Sequence, residues 1–114
     1  MKEEIQFYLS QYNERIQQLF VELRELIFQS IPCEGETEIE EKLWAKLPSY
    51  YMGDRFVRLI AFKDHINIEA KKILEYKECL EKFKITPKGM LQIDSNQSIP
   101  KGPLHKIFKE TLLG

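Results

Sequence analysis

The stretch Phe56-Val57-Arg58-Leu59-Ile60-Ala61-Phe62-Lys63-Asp64-His65-Ile66-Asn67-Ile68-Glu69 decides the fold. Seven residues dominated by apolar side chains are followed by a short polar break and then by alternating polar and apolar residues. That pattern is a buried strand turning back into a half-exposed one, the centre of a small sheet. The other apolar segments have the length and spacing of helices and edge strands that pack against it.

With 114 residues, the chain suits one domain over residues 1–114, a size that buries roughly two-thirds of the surface the unfolded chain exposes. Hydrophobic residues make up 43% and charged residues 31%, with only five Gly and five Pro, as in a globular protein rather than a disordered or low-complexity one. Seventeen basic residues against 18 acidic leave a net charge of −1. That balance lacks the basic stripe of a nucleic-acid partner. The apolar runs fall short of the ~20 residues of a membrane helix, and the acidic start Met1-Lys2-Glu3-Glu4 does not read as a signal peptide. Cys33 and Cys79 are too few and too widely spaced for a disulfide framework or a C-x-x-C metal site, so reduced thiols in a cytoplasmic protein are expected.

Outward from the central stretch, residues 3–12 read as a short amphipathic helix with Ile5, Tyr8, Leu9 and Tyr12 on one stripe. Asn13 stands as the N-cap of a longer helix over 14–30, where Ile16, Leu19, Phe20, Leu23, Leu26 and Ile27 recur at helical spacing and Pro32 ends the run. An acidic strand follows to about Ala45, with Ile39, Leu43, Ala45 and Leu47 on one parity. Lys46-Leu47-Pro48 closes it, and Ser49-Tyr50-Tyr51-Met52 forms a second strand. Gly53-Asp54 supplies the hairpin turn into the central stretch. Residues 70–83 regain helical spacing, 85–89 read as a loop, Met90-Leu91-Gln92-Ile93 as a last strand, 95–103 as a connector and 104–113 as a final helix. The expected class is α+β, two-layer, with a mainly antiparallel sheet of about five short strands and helices on one face, in the order α-α-β-β-β-β-α-β-α.

Three groups of residues invite chemistry. Glu34, Glu36, Glu38 and Glu40 alternate, so an extended backbone places four carboxylates on one face, about 7 Å apart. Hard cations prefer such oxygen ligands, though a flat ladder lacks the convergence of a tight site; the plainer reading is a charged edge strand protected against aggregation. His65 and His105 are the only histidines, and neither has a partner at a metal or catalytic spacing. The aromatic group Trp44, Tyr50, Tyr51 and Phe56 brackets the Leu47-Pro48 turn. It is either rim packing or a groove, in which Trp44 and Tyr51 offer rings and Lys63, His65 and Lys88 offer polar contacts. No nucleophile elbow, Walker motif or dinucleotide motif occurs, so catalysis is not expected.

Glu-Lys-Leu-Trp-Ala-Lys-Leu-Pro at 41–48, Ala-Phe-Lys-Asp-His-Ile at 61–66 and Lys-Gly-Met-Leu-Gln-Ile at 88–93, followed by Ile99-Pro100, resemble the YdhG-like family of small bacterial domains. The likeness runs along nearly the whole chain in the same order, and Ala61 to Ile66 is its most specific part. It implies a two-layer α+β domain. Because some members look like frataxin-type intracellular iron chaperones, it also implies weak ferrous-iron binding by surface carboxylates such as Glu36, Glu38 and Glu40. Iron–sulfur assembly or haem-synthesis proteins would then be the partners. The alternative is a small-molecule or protein-binding module that uses the aromatic groove without metal.

Overall fold

The computed structural model describes residues 1–32 and 38–114. Among them are α1 (Glu3–Ser10), α2 (Glu14–Gln29), β1 (Glu40–Trp44), β2 (Leu47–Met52), β3 (Arg55–Ala61), β4 (His65–Ala70), a 3-10 helix (Ile73–Leu80), β5 (Lys84–Ile85), β6 (Leu91–Asp94) and α3 (Lys101–Leu113). The six strands form one antiparallel sheet in the order β1-β2-β3-β4-β6-β5, so the stretch that opened the sequence reading supplies the two middle strands. The α+β class stands, with six strands where five were expected. The added one is the two-residue β5, lying partly in what reads as a loop.

Strand alternation separates the two faces of the sheet. Val57, Leu59 and Ala61 of β3 are buried on the inner face beside Ile66, Ile68 and Ala70 of β4, with Leu59 opposite Ile68 and Ala61 opposite Ile66. Tyr50 continues that layer on β2, opposite Val57, and Leu91 and Ile93 continue it on β6. Helices α2 and α3 cover this face and touch each other as well as β3 and β4. Ile16, Phe20, Leu23 and Ile27 come down from α2, and Leu104, Ile107, Phe108 and Leu112 from α3. Each such side chain contributes roughly 1.5–3 kcal/mol relative to its exposed state. Among the described residues, no helix is long and apolar enough to cross a membrane.

Asn13 caps α2 and also anchors it. Its Oδ1 accepts from the Ile16 amide at 3.0 Å, while its Nδ2 donates to the Lys63 carbonyl at 3.0 Å in the β3–β4 turn. The hydroxyl of Tyr8 accepts from the Ala61 amide at 2.9 Å, which fixes α1 to the same end of the hairpin. Burial there pushes the Tyr8 phenol up, well beyond its usual range.

Local turn chemistry accounts for the departures from the sequence reading. Ala45 and Lys46 both have positive φ (49° and 67°), the pattern of a type I′ two-residue hairpin, although neither is Gly, Asn or Asp. The left-handed backbone costs about 1 kcal/mol at each. Leu47 therefore belongs to β2, opposite Trp44, and Pro48 pairs with Leu43. A run of one parity through Ile39, Leu43, Ala45 and Leu47 assumes a straight strand; the turn instead puts Leu47 on the face of Trp44, opposite to that of Leu43. In such a hairpin the pair flanking the turn is hydrogen-bonded, so Pro48 sits in a non-bonded pair and β1 loses no donor. Gly53 (φ 65°) takes the first position of the β2–β3 turn, as a type II′ turn requires. Residues 70–83 hold a 3-10 helix only over Ile73–Leu80, broken at Tyr76 (φ −113°, ψ 18°); it starts late because Ala70 still belongs to β4, paired with Val57 of β3. Helix α3 begins at Lys101, three residues before the expected start. Pro103 lies in its first turn, where backbone amides lack intrahelical partners in any case.

One ion pair sits on the inner side of the edge strand. Glu41, 7% exposed, accepts two hydrogen bonds from Arg24 of α2, at 2.6 Å to Nε and 3.2 Å to Nη2. Burial alone would raise the Glu41 carboxyl, but the Arg24 guanidinium outweighs it and holds the group below its ordinary 4.5. A carboxyl held lower in the folded than in the unfolded chain contributes stability above the unfolded value, and that stability is lost as pH falls through the folded value. Glu41→Gln is expected to cost about 1–3 kcal/mol at pH 7. In urea denaturation followed from pH 7 to pH 3, the gap between variant and parent should narrow steadily below pH 4.5. A gap that stays constant across that range would show that the pair does not titrate with folding.

Candidate functional site

The outer face of the sheet is where the described residues gather polar and aromatic side chains. Residues of opposite parity to the core point there: Glu40, Lys42 and Trp44 from β1, Ser49 and Tyr51 from β2, Phe56, Arg58 and Ile60 from β3, and His65, Asn67 and Glu69 from β4. No helix among the described residues packs over this side; those that contact the middle strands lie on the inner face. Yet Arg58 is only 4% exposed. A guanidinium stays charged at any ordinary pH, so its burial requires partners.

The partners come from four strands. Arg58 Nε donates to Ser49 Oγ at 2.8 Å, Nη1 to Glu69 Oε1 at 2.9 Å, and Nη2 to the Tyr51 hydroxyl at 3.0 Å. The guanidinium carbon lies 4.2 Å from the Trp44 ring centre and 4.1 Å from that of Phe56, within cation–π range of both. Register makes this possible. Ser49 and Glu69 are the direct cross-strand neighbours of Arg58, and Phe56 is two residues back on the same face. Tyr51 packs against Phe56 with ring centres 5.7 Å apart, and the Lys42 ammonium sits 4.6 Å over the Tyr51 ring while pairing with Glu40 at 3.1 Å. The Arg58 guanidinium lies over the Trp44 ring, which nevertheless remains 54% exposed.

A second group occupies the hairpin tip of the same face. Phe62 and His65 stack with ring centres 4.5 Å apart and planes 12° from parallel, and Asp64 Oδ1 meets His65 Nδ1 at 2.7 Å. The hydrogen bond from His65 holds the exposed Asp64 carboxyl below its usual range. Between the two groups, the buried Oδ1 of Asn67 finds no hydrogen-bond partner among the described residues.

The five candidate groove residues do not converge on one point. Trp44 and Tyr51 meet through Arg58. Lys63 and His65 lie at the β3–β4 tip, and the Lys63 carbonyl is taken by Asn13. Lys88 lies at the opposite end of these strands, lining a cleft of about 720 Å³ together with Phe56 and Glu69. Of the carboxylate ladder, Glu34 and Glu36 fall outside the described residues, as does Cys33. Glu38 precedes β1 and is exposed; Glu40 opens it and is engaged with Lys42. Among the described residues, no group of three or more His, Cys, Asp or Glu is placed to hold a metal ion. His105 is exposed on α3. The hydroxyl of Ser49 accepts from Arg58 and donates to the Leu47 carbonyl at 3.0 Å, so both its roles are structural.

Sequence reasoning passed over Arg58. The signal was present: one permanent cation inside the apolar run 56–62, with Ser49, Tyr51 and Glu69 at pairing positions. Ser49 already aligns with Arg58 through the Gly53-Asp54 turn, but bringing Trp44 over the guanidinium required the β1–β2 register set by the Ala45-Lys46 turn.

A scan of protein-family models, a search of curated proteins and a search of solved structures each give no match to this chain.

Arg58→Ala should destabilise the chain by about 2–4 kcal/mol, leaving the Glu69 carboxylate and the Tyr51 and Ser49 hydroxyls without their donor. Arg58→Met, closer in volume, should cost less, because Glu69 is 36% exposed and can rehydrate. Since Trp44 is the chain's one tryptophan, urea titrations read by its emission report stability and site together. Both variants should shift the native emission to longer wavelength. Unchanged native emission in both would show that Arg58 does not hold the indole.

Proposed function

We propose that this chain is a non-enzymatic, cytoplasmic binding module whose recognition surface is the outer face of the sheet, with Trp44 as its anchor and a protein segment as its partner. The observation that carries this reading is the buried Arg58 that fixes an exposed ring. Exposed indoles adapt to a partner only by giving up rotamer freedom, and here Arg58 has already restricted Trp44 before any partner arrives. Trp, Tyr and Arg are also the residue types that dominate the energetics of protein interfaces, and this face presents all three within one network. Lys42, Glu40 and Lys46 at its margin supply a charged rim around the apolar centre.

Both roles of the Ser49 hydroxyl are used within the fold, so it serves the network around Arg58. The resemblance of residues 61–66 to YdhG-like domains would give the chain an intracellular setting. A protein partner suits the shape of the surface, a sheet face some four strands wide with a protruding ring, better than a small molecule does.

Selection of displayed peptides on the folded chain tests the proposal. Aromatic-containing peptides should be enriched, and they should lose about tenfold or more in affinity for Trp44→Ser. Binding to Trp44→Ser as tight as to the parent would overturn the outer-face reading. A ferrous-iron titration that moved the Glu38 and Glu40 amides at micromolar metal, with no peptide selected, would favour the metal-carrying role instead.

A further inference from the structure

The cleft that contains Lys88 adjoins the outer-face cluster, sharing Phe56 and Glu69 with it, and lies where six segments meet: the β2–β3 turn, the start of β3, the end of β4, the start of the 3-10 helix, the β5–β6 loop and the end of α3. Its volume of about 720 Å³ lies within the range of small-ligand pockets. Its walls carry Phe56 and Leu74, the latter 59% exposed although apolar.

The charges of the cleft are unevenly committed. Two of its acids are engaged: Glu69 accepts from Arg58 at 2.9 Å, and Glu110 accepts the hydroxyl of Tyr76. Lys72 pairs with Glu75 at 3.0 Å, and Arg55 caps the end of α3 by donating to the carbonyls of Leu112 and Leu113 at 3.1 and 3.0 Å. Lys71 and Lys88 are exposed and pair with no acid among the described residues. Asp54 is the one acid of the cleft to which no such engagement belongs. A site with uncommitted ammonium groups, a fixed guanidinium and two apolar walls has a complementary ligand, an anion carrying a compact apolar body.

From this we infer a second binding site: the cleft between Lys71 and Lys88 takes a small organic anion, a carboxylate or phosphate monoester whose apolar part rests on Phe56 and Leu74. The anionic group lies between the two ammonium groups. Gly89 takes a left-handed backbone (φ 87°) in the wall beside Leu74; a Cβ there would make only ordinary contact with Leu74 Cδ1, at 3.7 Å, but would be strained by that backbone. Trp44 does not line the cleft, although Phe56 and Glu69 join the cleft to the Arg58 cluster, and Trp44→Ser should leave anion binding there intact.

Phenyl phosphate, phenylacetate, inorganic phosphate and benzyl alcohol, each titrated into the full chain and followed by backbone amide shifts, supply the test. Either or both aromatic anions should move the amides of Lys71, Lys72, Leu74 and Gly89 with millimolar or tighter affinity; which of them does so assigns the head group. The double variant Lys71→Glu/Lys88→Glu should weaken that binding by about tenfold or more at low salt. Unchanged amide shifts at Ile16 and Leu23 in the double variant would confirm that its fold is kept. Equal binding of inorganic phosphate would overturn the apolar half of the inference, and equal binding of benzyl alcohol the anionic half. Shifts spread over other surface lysines, or unaffected by the double variant, would overturn it whole.

Discussion

A single guanidinium ties together the outer face. Taking a permanent cation out of water is costly, and Arg58 offsets that cost only because Ser49, Tyr51, Phe56, Glu69 and Trp44 arrive around it in one register. Those residues belong to β1, β2, β3 and β4, so one side chain cross-links four of the six strands. The dependence runs both ways. A one-residue slip of β2 against β3 would turn Ser49 and Tyr51 into the core and leave Arg58 buried without two of its hydrogen-bond acceptors. The cluster therefore specifies the register at the same time as it builds the surface.

The inner face works by a different rule. Its strands present aliphatic side chains and Tyr50 to α2 and α3, and burial there is close to complete. Among the described strand residues, the one charged group turned inward, Glu41 on the edge strand, is held by Arg24. An inward-pointing carboxylate on an edge strand also discourages pairing with another chain, because a sheet that continued past β1 would have to accommodate it. Beside this pair, the Tyr50 hydroxyl is buried without a hydrogen-bond partner of good geometry among the described residues, and burial, with the nearby Glu41 charge, pushes its phenol up. The domain thus holds two arginine–glutamate pairs on opposite sides of its sheet. The pair at Glu41 joins a helix to the edge strand; the pair at Glu69 joins neighbouring strands and organises rings.

How far the sequence could be read follows from these same features. Helical periodicity in α2 and the cap at Asn13 are local, and both were legible to within a residue. The central hairpin was legible because strand β3 is apolar and β4 alternates. The β1–β2 turn was not, since Ala45 and Lys46 carry none of the Gly, Asn or Asp that normally mark left-handed positions, while Pro48 nearby reads as a break. That one misplacement hid the alignment of Trp44 with Leu47, and with it the place of Trp44 beside Arg58. The 3-10 segment showed helical spacing but is shorter than that spacing suggests, because β4 continues through Ala70. For the site, Trp44 and Tyr51 were legible as an aromatic pair. Their organiser was hidden, since an arginine in an apolar strand shows its role only when its neighbours are known.

A face built this way holds an exposed ring against a buried cation. Whether Arg58 is held as described can be read directly from its Nε–H signal in nuclear magnetic resonance. Donation to the buried Ser49 hydroxyl should slow exchange of that proton with solvent by at least about tenfold relative to a solvated arginine. Cross-relaxation from the Nε–H to ring protons of both Trp44 and Phe56 should accompany it. A signal that exchanges as fast as that of a free arginine, with no contact to either ring, would contradict the arrangement on which the outer face depends.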